Sequence, residues 1–324
     1  MQDRLIKLLS DGEFHSGEEL GKALGVSRTA IWKQLKHLED YGLAVESIKG
    51  RGYRIGSPIN LLDKNEILAS VSPSIRSSLD DLCVLMVTDS TNSQVMQRLA
   101  TESGCYVCTA EQQTVGRGRR GRVWHSPFGG NLYFSISWCF QGGAAALEGL
   151  SLAVGVAICR ALDENGCDAV QLKWPNDLVS NGKKLGGVLL EMTGDAEGPC
   201  AVVVGVGLNV CMGPVEPIDQ PWTDLVTVSP VVSYNRNVLL AAMISHLIAM
   251  LRGYESEGFA SYRREWERRD AFLGQAVSLR MGDEQACGIE RGVANDGALK
   301  VETASGMQVF RGGEVSLRGA ASDT

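Results

Sequence analysis

Hydrophobic and polar positions divide the chain of 324 residues into three successive patterns. Up to about residue 62, apolar positions recur at helical spacing in short segments, which are followed by one hairpin. From residue 63 to residue 270, apolar strands alternate with helices, and beyond that only short strands separated by Gly-rich turns are predicted. We therefore predict an α+β protein with three domains, at residues 1–62, 63–270 and 271–324.

The first domain has the pattern of a winged helix-turn-helix. The stretch "SGEE", Ser16–Glu19, predicts a capping box for one helix, and Ser27 can cap a second helix that stops at Gly42. A strand, a turn at Gly50 and Gly52, and another strand follow and form the predicted wing.

The second of these helices has one apolar and one basic face. Ile31, Leu35 and Leu38 share the apolar face. In winged-helix domains such a helix enters the major groove of DNA and the wing contacts the backbone. A pair of helices that binds another protein is the alternative. The candidate DNA contacts are Arg28, Thr29, Trp32, Lys33 and Lys36 on the helix and Lys49 and Arg51 on the wing.

The stretch "TVGRGRRGRVW", Thr114–Trp124, contains the spacing G-x-G-x-x-G, but it does not predict a dinucleotide-binding fold. That fold needs a helix next and an acidic residue about 20 positions on. Here turn and strand follow, and no Asp or Glu stands between Glu111 and Glu148. Four arginines separated by glycines can instead grip a carboxylate or a phosphate. A solvated basic loop, or a patch for nucleic acid, is the alternative.

Two further segments of the second domain place polar groups at the ends of elements. The sequence "DSTN" ends a strand and begins a helix, so Ser90, Thr91 and Asn92 can hold an anion or a polar ligand, or can merely cap the helix. Around "KWPND" we predict a strand, a turn and a second strand that begins near Lys184. The glycines of "VVVGVGLNV" allow a close approach to the backbone of a buried strand.

Composition indicates a globular protein of the cytoplasm. Hydrophobic residues make up 44% of the chain and the formal net charge is −7. The longest apolar runs are interrupted by polar residues, so neither a membrane span nor an export signal is predicted. Nine scattered cysteines, among them Cys105 and Cys108 in a C-x-x-C, fit reduced thiols with structural roles.

Four motifs, "DSTN", "GRGRRGRVWHSPFGGNLYFS", "KWPNDL…GKKLGGVLLE" and "VVVGVGLNV", occur in an order that resembles the biotin protein ligases. With a winged helix in front, the chain is similar to the bacterial proteins that are both biotin ligase and repressor of the biotin operon. The resemblance covers nearly the whole chain and is weakest at residues 211–232. It implies a central mixed α/β catalytic domain and a small SH3-like C-terminal β-barrel.

The resemblance implies a reaction in two steps. Biotin and MgATP give biotinyl-5′-AMP, and biotin then passes to a lysine of the biotin carboxyl carrier protein of acetyl-CoA carboxylase. The adenylate would also act as corepressor for a homodimer on operator DNA. The alternatives are a sensor that binds a small acid without catalysis and a lipoate or octanoate transferase of related fold.

The resemblance also assigns roles to single residues. Lys184, Arg119 and Asp177 would be catalytic, and no metal site built by the protein is implied, because Mg²⁺ would be bound mainly through ATP. Biotin would be bound by Ser90, Thr91, Asn92, Gln113, Arg117, Gly118, Arg119, Trp124, Lys184, Gly205 and Gly207. ATP would be bound by Arg119, Arg122, Asn176, Asp177, Lys184, Asn209 and Trp222.

Overall fold

Three helices and a hairpin form the N-terminal domain, as predicted. The computed structural model describes residues 1–194, 198–213, 218–230, 232, 234–281, 284–311 and 315–319; the last five residues of the third predicted domain lie outside these ranges. The N-terminal elements are α1 (Gln2–Leu9), α2 (Gly17–Leu24), α3 (Arg28–Lys36), β1 (Val45–Ile48) and β2 (Gly52–Ile55).

The predicted helix starts of this domain are confirmed. The Ser16 hydroxyl accepts a hydrogen bond from Glu19 N (3.1 Å), and the Glu19 carboxylate accepts one from Ser16 N (2.8 Å), so both halves of the capping box are present. Ser27 caps α3. This helix is shorter than predicted, because a 3-10 turn, Glu39–Tyr41, carries the chain from its end to Gly42.

The apolar face of α3 packs into the core of the N-terminal domain. Ile31 and Leu35 of α3, and Leu38 just after its end, are buried there with residues of α1 and α2. The wing is held to the domain because His15 forms two backbone hydrogen bonds with β2, of 2.8 and 2.9 Å. Gly52 has a φ of 111°, and a side chain at this position would overlap the backbone of His15, so the wing requires glycine here.

A mixed seven-stranded sheet forms the middle of the molecule. Its strands are β3 (Asp81–Thr88), β4 (Tyr106–Gln113), β5 (Leu132–Phe140), β6 (Gln171–Lys173), β7 (Asp177–Ser180), β8 (Lys183–Gly194) and β9 (Cys200–Leu208). Their order across the sheet is β3-β4-β5-β9-β8-β7-β6. Only β3 and β4 are parallel, and the other neighbours are antiparallel.

Helices cover both faces of this sheet. They are α4 (Lys64–Ser70), α5 (Pro73–Arg76), α6 (Thr91–Leu99), α7 (Leu150–Glu164), α8 (Leu225–Val228), α9 (Arg236–Glu257) and α10 (Arg263–Arg269). Alternate residues of β9 show the two faces: Val202 and Val204 belong to the cluster under α7 and α9, whereas Val203 packs with Val95 of α6.

Two helical segments are long and apolar enough to cross a membrane by length and composition alone, Gly143–Glu164 and Arg236–Glu257. In each segment, 61% of the most apolar stretch of 18 residues is buried inside the molecule. The helices α7 and α9 that they contain pack against each other and against the sheet. Both therefore have the environment of core helices in a globular domain.

The region around "KWPND" contains one strand more than predicted. After β6 the predicted turn is present at residues 174–176, but a short strand that was not predicted, β7, follows it, and β8 begins at Lys183. Asn181 (φ 50°) and Gly182 (φ 74°) connect β7 to β8 in the left-handed conformation that an Asn-Gly hairpin turn requires. The prediction of only two strands was therefore wrong.

The C-terminal part consists of short strands, as predicted. They are β10 (Ala276–Met281), β11 (Glu284–Val293), β12 (Leu299–Thr303), β13 (Gly306–Phe310) and β14 (Val315–Gly319), in the sheet order β13-β12-β11-β10-β14. Every pair of neighbours is antiparallel. Closure of this sheet into an SH3-like barrel stays a prediction. Its buried residues, such as Leu279 and Val301, belong to the same hydrophobic cluster as the central sheet.

The segment that joins the first domain to the second is bound to the central domain. Glu111 of β4 and Arg236 of α9 form a buried ion pair of 2.7 Å. The guanidinium of Arg236 donates to Asn60 O (3.0 Å), and Glu111 Oε1 accepts from Leu62 N (2.5 Å). Leu62 is also the first residue of the large central cluster. We therefore propose to keep the boundary at residues 62/63, and we propose the second boundary at 270/271, where α10 has ended.

Candidate active site

A cavity of about 670 Å³ lies where α6 begins, β4 ends, and β8 and β9 pass side by side. Residues from six separate chain segments therefore meet at one place. All but two of the predicted biotin and ATP residues line the cavity, namely Ser90, Thr91, Asn92, Gln113, Arg117, Gly118, Arg119, Arg122, Trp124, Asn176, Asp177, Lys184, Gly205 and Gly207.

The start of α6 forms a hydrogen-bonded part of the cavity wall. The side-chain oxygen of Gln113 accepts hydrogen bonds from Thr91 N (2.9 Å) and Thr91 Oγ1 (3.1 Å). Ser90 occupies the N-cap position, yet its hydroxyl makes no capping hydrogen bond. The alternative that Ser90 merely caps the helix is therefore wrong, and its hydroxyl is available to a polar ligand.

Two glycines of β9 are required by close packing. A side chain on Gly205 would overlap the amide of Asn92, and one on Gly207 would overlap the indole of Trp124. The strand backbone thus lies directly against two predicted ligand-binding side chains, as the pattern of glycines indicated. Trp124 Nε1 is buried and has no hydrogen-bond partner among the described residues, so it can donate to a ligand in the cavity.

The glycine-arginine segment is a narrow loop over the cavity. Gly118 N donates to Arg122 O (2.7 Å) and Trp124 N donates to Gly116 O (2.9 Å), which closes the loop into a small hairpin. Arg120 at its tip has a φ of 58°, an unfavourable conformation for a residue with a side chain. Residues 117 and 120–123 of the loop are exposed, so little packing holds its tip.

Arg119 reaches from this loop to the opposite wall. Its guanidinium donates to Asn176 Oδ1 (3.2 Å). Burial lowers the pKa of Arg119, and the neighbouring Arg120 lowers it further. A guanidinium nevertheless stays protonated at neutral pH, so a positive charge is held in a partly desolvated position where an anion would bind strongly.

Lys184 and Asp177 form an ion pair on the other side of the cavity, with Nζ and Oδ1 2.8 Å apart. Both side chains are about four-fifths buried, with 19% and 18% of their surface exposed. The turn that carries Asp177 is fixed because Asn176 Nδ2 donates to Val188 O (2.7 Å) and Val188 N donates to Asn176 O (2.9 Å). Lys184 Nζ also lies 5.6 Å from the centre of the Trp124 ring.

Two residues that sequence reasoning missed connect these groups. Glu191 of β8 accepts a hydrogen bond from Asn92 Nδ2 (2.6 Å) and lies 3.3 Å from the guanidinium of Arg117. Ser135 Oγ of β5 lies within hydrogen-bonding distance of both Thr91 Oγ1 (2.7 Å) and Asn92 Oδ1 (2.5 Å). The available signal was a polar residue within an apolar strand, "VLLEM" and "YFSISW".

Two predicted ATP residues do not line the cavity. Asn209 is buried behind it, where its side-chain amide donates to Thr223 O (3.0 Å). Trp222 forms a backbone bridge with Lys184. Their direct contact with ATP stays a prediction, although both residues lie beside the strand that carries Lys184. The cavity wall also includes His125 and Phe272, which the sequence analysis did not select.

The predicted DNA contacts form an exposed surface on the N-terminal domain. All seven side chains, from Arg28 to Arg51, are exposed, and Trp32 keeps 48% of its surface accessible. Lys36 Nζ lies 4.0 Å from the Trp32 ring centre, and the Arg51 guanidinium lies 4.2 Å from that of Phe14. Helix and wing thus present cations and aromatic rings on one small domain, a composition that suits the DNA backbone and base edges.

A winged helix joined to a cavity with three convergent cations defines a protein that binds DNA and also activates a carboxylate or a phosphate. Comparison with known proteins identifies which group is activated. Residues 84–209 match the biotin/lipoate A/B protein ligase family, residues 2–54 match an HTH domain, and residues 272–318 match the biotin protein ligase C terminal domain.

The relatives agree over the whole chain. The bifunctional ligase/repressor BirA of Escherichia coli K12 is 42% identical over 319 residues, which are 98% of this chain and 97% of that one. The protein of the same name from Bacillus subtilis 168 is 30% identical over 97% of both chains. The chain therefore belongs to the family of bifunctional biotin ligase/repressors.

The fold also matches a solved structure over about three quarters of the chain. The biotin protein ligase of Aquifex aeolicus, in complex with biotin and ATP, is 29% identical and superposes with a TM-score of 0.63. The match covers 74% of this chain and all of that one.

Proposed function

We infer that the protein is an ATP-dependent biotin ligase that also represses transcription. The observation that carries this inference is the convergence of Lys184, Arg117 and Arg119 on one cavity that also presents neutral hydrogen-bonding groups. The first step must bring the biotin carboxylate and the ATP α-phosphate together, and both are anions. Cations fixed around them offset that repulsion and stabilise the charge that develops.

We propose that the two reactions share this site. The biotin carboxylate attacks the α-phosphorus of ATP, which forms biotinyl-5′-AMP and releases pyrophosphate. The amino group of a carrier lysine then attacks the biotinyl carbonyl carbon, an amide forms, and AMP leaves. Lys184 contacts the carboxylate and the bridging phosphate oxygen in both steps, and its ion pair with Asp177 fixes the position of the ammonium.

The remaining roles follow the position of each side chain. The wall at Ser90, Thr91, Asn92 and Gln113 offers neutral donors and acceptors, which suit the ureido ring of biotin. Trp124 covers the ring, and the strand at Gly205 and Gly207 closes the pocket behind it. Arg117, Gly118, Arg119 and Arg122 fold over the carboxylate and phosphate, and Asn176 and Asp177 lie on the ATP side.

Mg²⁺ fits this site as a companion of ATP. Among the described residues no group of three potential metal ligands occurs. The carboxylates in the cavity wall are Asp177 and Asp219, which are hard oxygen donors of the kind that Mg²⁺ accepts. We propose that ATP oxygens supply most of its ligands and that Asp177 supplies one. When bound, the ion neutralises phosphate charge.

A sensor without catalysis would need the pocket but not the phosphate-handling groups. The Lys184–Asp177 pair and Arg119 lie on the cavity wall beyond the start of α6, so the site is more elaborate than recognition of a small acid requires. One experiment separates the two functions. The protein is incubated with biotin, MgATP and a carboxyl carrier domain, and mass spectrometry measures biotinyl-AMP and the biotinylated carrier. Tight biotin binding with neither product would contradict the ligase.

We propose partners and location on the same basis. The acceptor is the carboxyl carrier protein of acetyl-CoA carboxylase, and the DNA partner is an operator bound by a homodimer that carries the adenylate. The nine cysteines are free thiols, as in proteins of a reducing compartment, so we place the protein in the cytoplasm.

Replacing Arg119 by glycine should release the adenylate before it reacts. The variant loses the guanidinium that joins the loop to Asn176 and gains backbone freedom, so the loop should close less completely. Free biotinyl-AMP and labelling of unrelated lysines should rise, measured by mass spectrometry of a bystander protein. Arg119→Lys, which keeps the charge but not the planar fork, should be intermediate. Adenylate retention equal to wild type would make Arg119 a solvated loop residue.

Replacing Glu191 by glutamine should weaken biotin binding. The amide oxygen still accepts from Asn92, but the charge opposite Arg117 is lost, so the guanidinium is no longer held at the pocket. Such a half-exposed ion pair is worth at most about 1 kcal/mol, which corresponds to a rise of about threefold to fivefold in the KM for biotin. We expect kcat to change less than about twofold, measured by carrier biotinylation. A lower KM would mean that Glu191 competes with the biotin carboxylate.

A further inference from the structure

Two buried acidic side chains meet at the junction of the central and C-terminal domains. Asp270 follows directly after α10, and Glu290 lies in the middle of β11. Glu290 is fully buried and Asp270 is 9% exposed. Neither belongs to the residues that line the cavity, and nothing in the proposed reaction uses them.

The contacts of these carboxyl groups require a proton. Asp270 Oδ1 accepts a hydrogen bond from Phe272 N (3.0 Å). Asp270 Oδ2 and both carboxyl oxygens of Glu290 receive no hydrogen bond from any other group in the described part of the chain. Burial raises the pKa of both carboxyl groups, and the hydrogen bond between them raises the pKa of Glu290 and lowers that of Asp270. Because ionised carboxylates only accept, one of the two must be protonated and donate to the other.

The charged side chains described around Asp270 and Glu290 do not stabilise two ionised carboxylates. On α10, Glu267 faces Asp270 and raises the pKa of that carboxyl, after burial as the larger cause. The guanidinium of Arg269 is directed instead to Asp163, at 2.5 Å. On the strand beside Glu290, the residue paired with it is Val301, which is buried and apolar.

The junction that holds this pair also reaches the cavity. Between α10 and β10 the chain is held on two sides, since Ala271 N donates to Leu172 O of β6 and Gly274 N donates to Glu290 O of β11, both at 2.9 Å. Phe272 lies between these two attachments, and its ring forms part of the cavity wall. The Nζ of Lys173 lies 5.8 Å from the centre of that ring.

We propose that Glu290 and Asp270 share one proton at neutral pH, and that this proton fixes the C-terminal sheet to the central domain and positions Phe272 in the cavity wall. Glu290 donates and Asp270 accepts, so the carboxylate of Asp270 can also accept from Phe272 N. Loss of the proton would place two negative charges side by side in an apolar junction, which only separation of the two surfaces could relieve. The effect on catalysis rests on the proposed ligase function, whereas the shared proton does not.

The pH range follows from the buried acid. Burial, and then the hydrogen bond and charge of Asp270, raise the pKa of Glu290 to about 10 from an ordinary value of 4.5. The folded protein therefore keeps a proton that the unfolded chain gives up above about pH 4.5. Its contribution to stability is complete below that pH and is lost progressively as the pH rises towards 10. Through this one group the unfolding constant should rise about tenfold for each pH unit.

Glu290→Gln tests the proton directly. The amide N–H can replace the carboxyl as donor to Asp270, but it does not titrate. Unfolding by denaturant is measured from pH 6 to pH 9 for both proteins, and the constant should rise about tenfold more per pH unit in wild type than in the variant. Glu302→Gln, an exposed acid on β12, is the matched control and should keep the wild-type slope. Equal slopes for wild type and Glu290→Gln would overturn the proposal.

A second measurement keeps the test independent of the variant's folding. Calorimetric unfolding of the wild-type protein at pH 8, in two buffers with different heats of ionisation, counts the protons released. The count should exceed by about one that of Glu290→Met, whose side chain has a similar size and carries no ionisable proton. Equal counts would overturn the shared proton even if Glu290→Gln failed to fold.

The positioning role has a readout in catalysis. The KM for ATP should rise in wild type between pH 8 and pH 9.5 while kcat changes less, and it should stay flat in Glu290→Gln. A flat profile in both proteins would overturn the positioning of Phe272. If neither protein made biotinyl-AMP at any pH, the proposed function would fail, and the unfolding slopes would still decide the shared proton.

Discussion

Lys184→Ala should lower the rate of biotinyl-AMP formation about a hundredfold or more while the fold stays intact. The ammonium is a single, partly buried charge held 2.8 Å from Asp177, at the place where we expect the carboxylate and the α-phosphate to meet. A fixed charge of this kind stabilises the transition state without reorganisation, and removing one such contact commonly costs two to three orders of magnitude. The rate is measured in a single turnover, as pyrophosphate or adenylate formed.

The chain supplies its own control for this variant. Lys183 is adjacent in sequence, carries the same charge and is exposed outside the cavity, so Lys183→Ala should stay within about twofold of wild type. Circular dichroism and a thermal melt establish that both variants are folded. Adenylate formation by Lys184→Ala within a few-fold of wild type would remove this residue from the mechanism.

Local patterns predicted those parts of the fold that local physics determines. The capping box at Ser16 and Glu19 depends on hydrogen bonds within one turn of helix, so the sequence contains both partners. The turn at Asn181 and Gly182 is also determined by its own two residues. It was missed because the "WPND" turn, five residues earlier, had already been taken as the end of the strand.

The candidate site was predictable where one motif supplied the contacts and was not where the sheet supplied them. The resemblance assigned Thr91 and Gln113 to biotin, and the parallel pairing of β3 with β4 brings these two residues together. Glu191 contacts Asn92 across the sheet, and their separation in sequence is too long for any spacing rule. Phe272 reaches the cavity from the domain junction, which only the packed structure defines.

The last prediction concerns DNA. The operator should be bound tightly only when biotin and ATP, or the adenylate, are present. One winged helix covers a half-site, and specific operators usually require two such domains related by a twofold axis. We expect the dimer contact on the central domain, whose loop over the cavity becomes ordered around the adenylate. If the ordered loop contributes to that contact, linkage makes the adenylate strengthen both dimerisation and DNA binding.

Point substitutions test this better than removal of the first 60 residues. Phe128 of the central domain packs into the N-terminal core, and Arg236 is bonded to Asn60, so a deletion would expose the first and unpair the second. In Trp32→Ala, the exposed ring of α3 is lost and the core is untouched. Operator binding should fall while carrier biotinylation remains within about twofold of wild type.

Lys36→Ala should report a phosphate contact through its salt dependence. The ammonium lies over the Trp32 ring on the exposed face of α3, and if it contacts one phosphate, binding releases the counterions condensed there. The slope of log affinity against log salt should then flatten by roughly 0.9. Lys7→Ala on α1, an exposed lysine outside the predicted DNA surface, should leave the slope unchanged.

A fluorescence titration of a palindromic site upstream of biotin-synthesis genes measures the operator affinity and its salt dependence, with and without the adenylate. Equal operator affinity in the two ligand states would eliminate the adenylate as corepressor. DNA binding would then be independent of the ligase activity of the same chain.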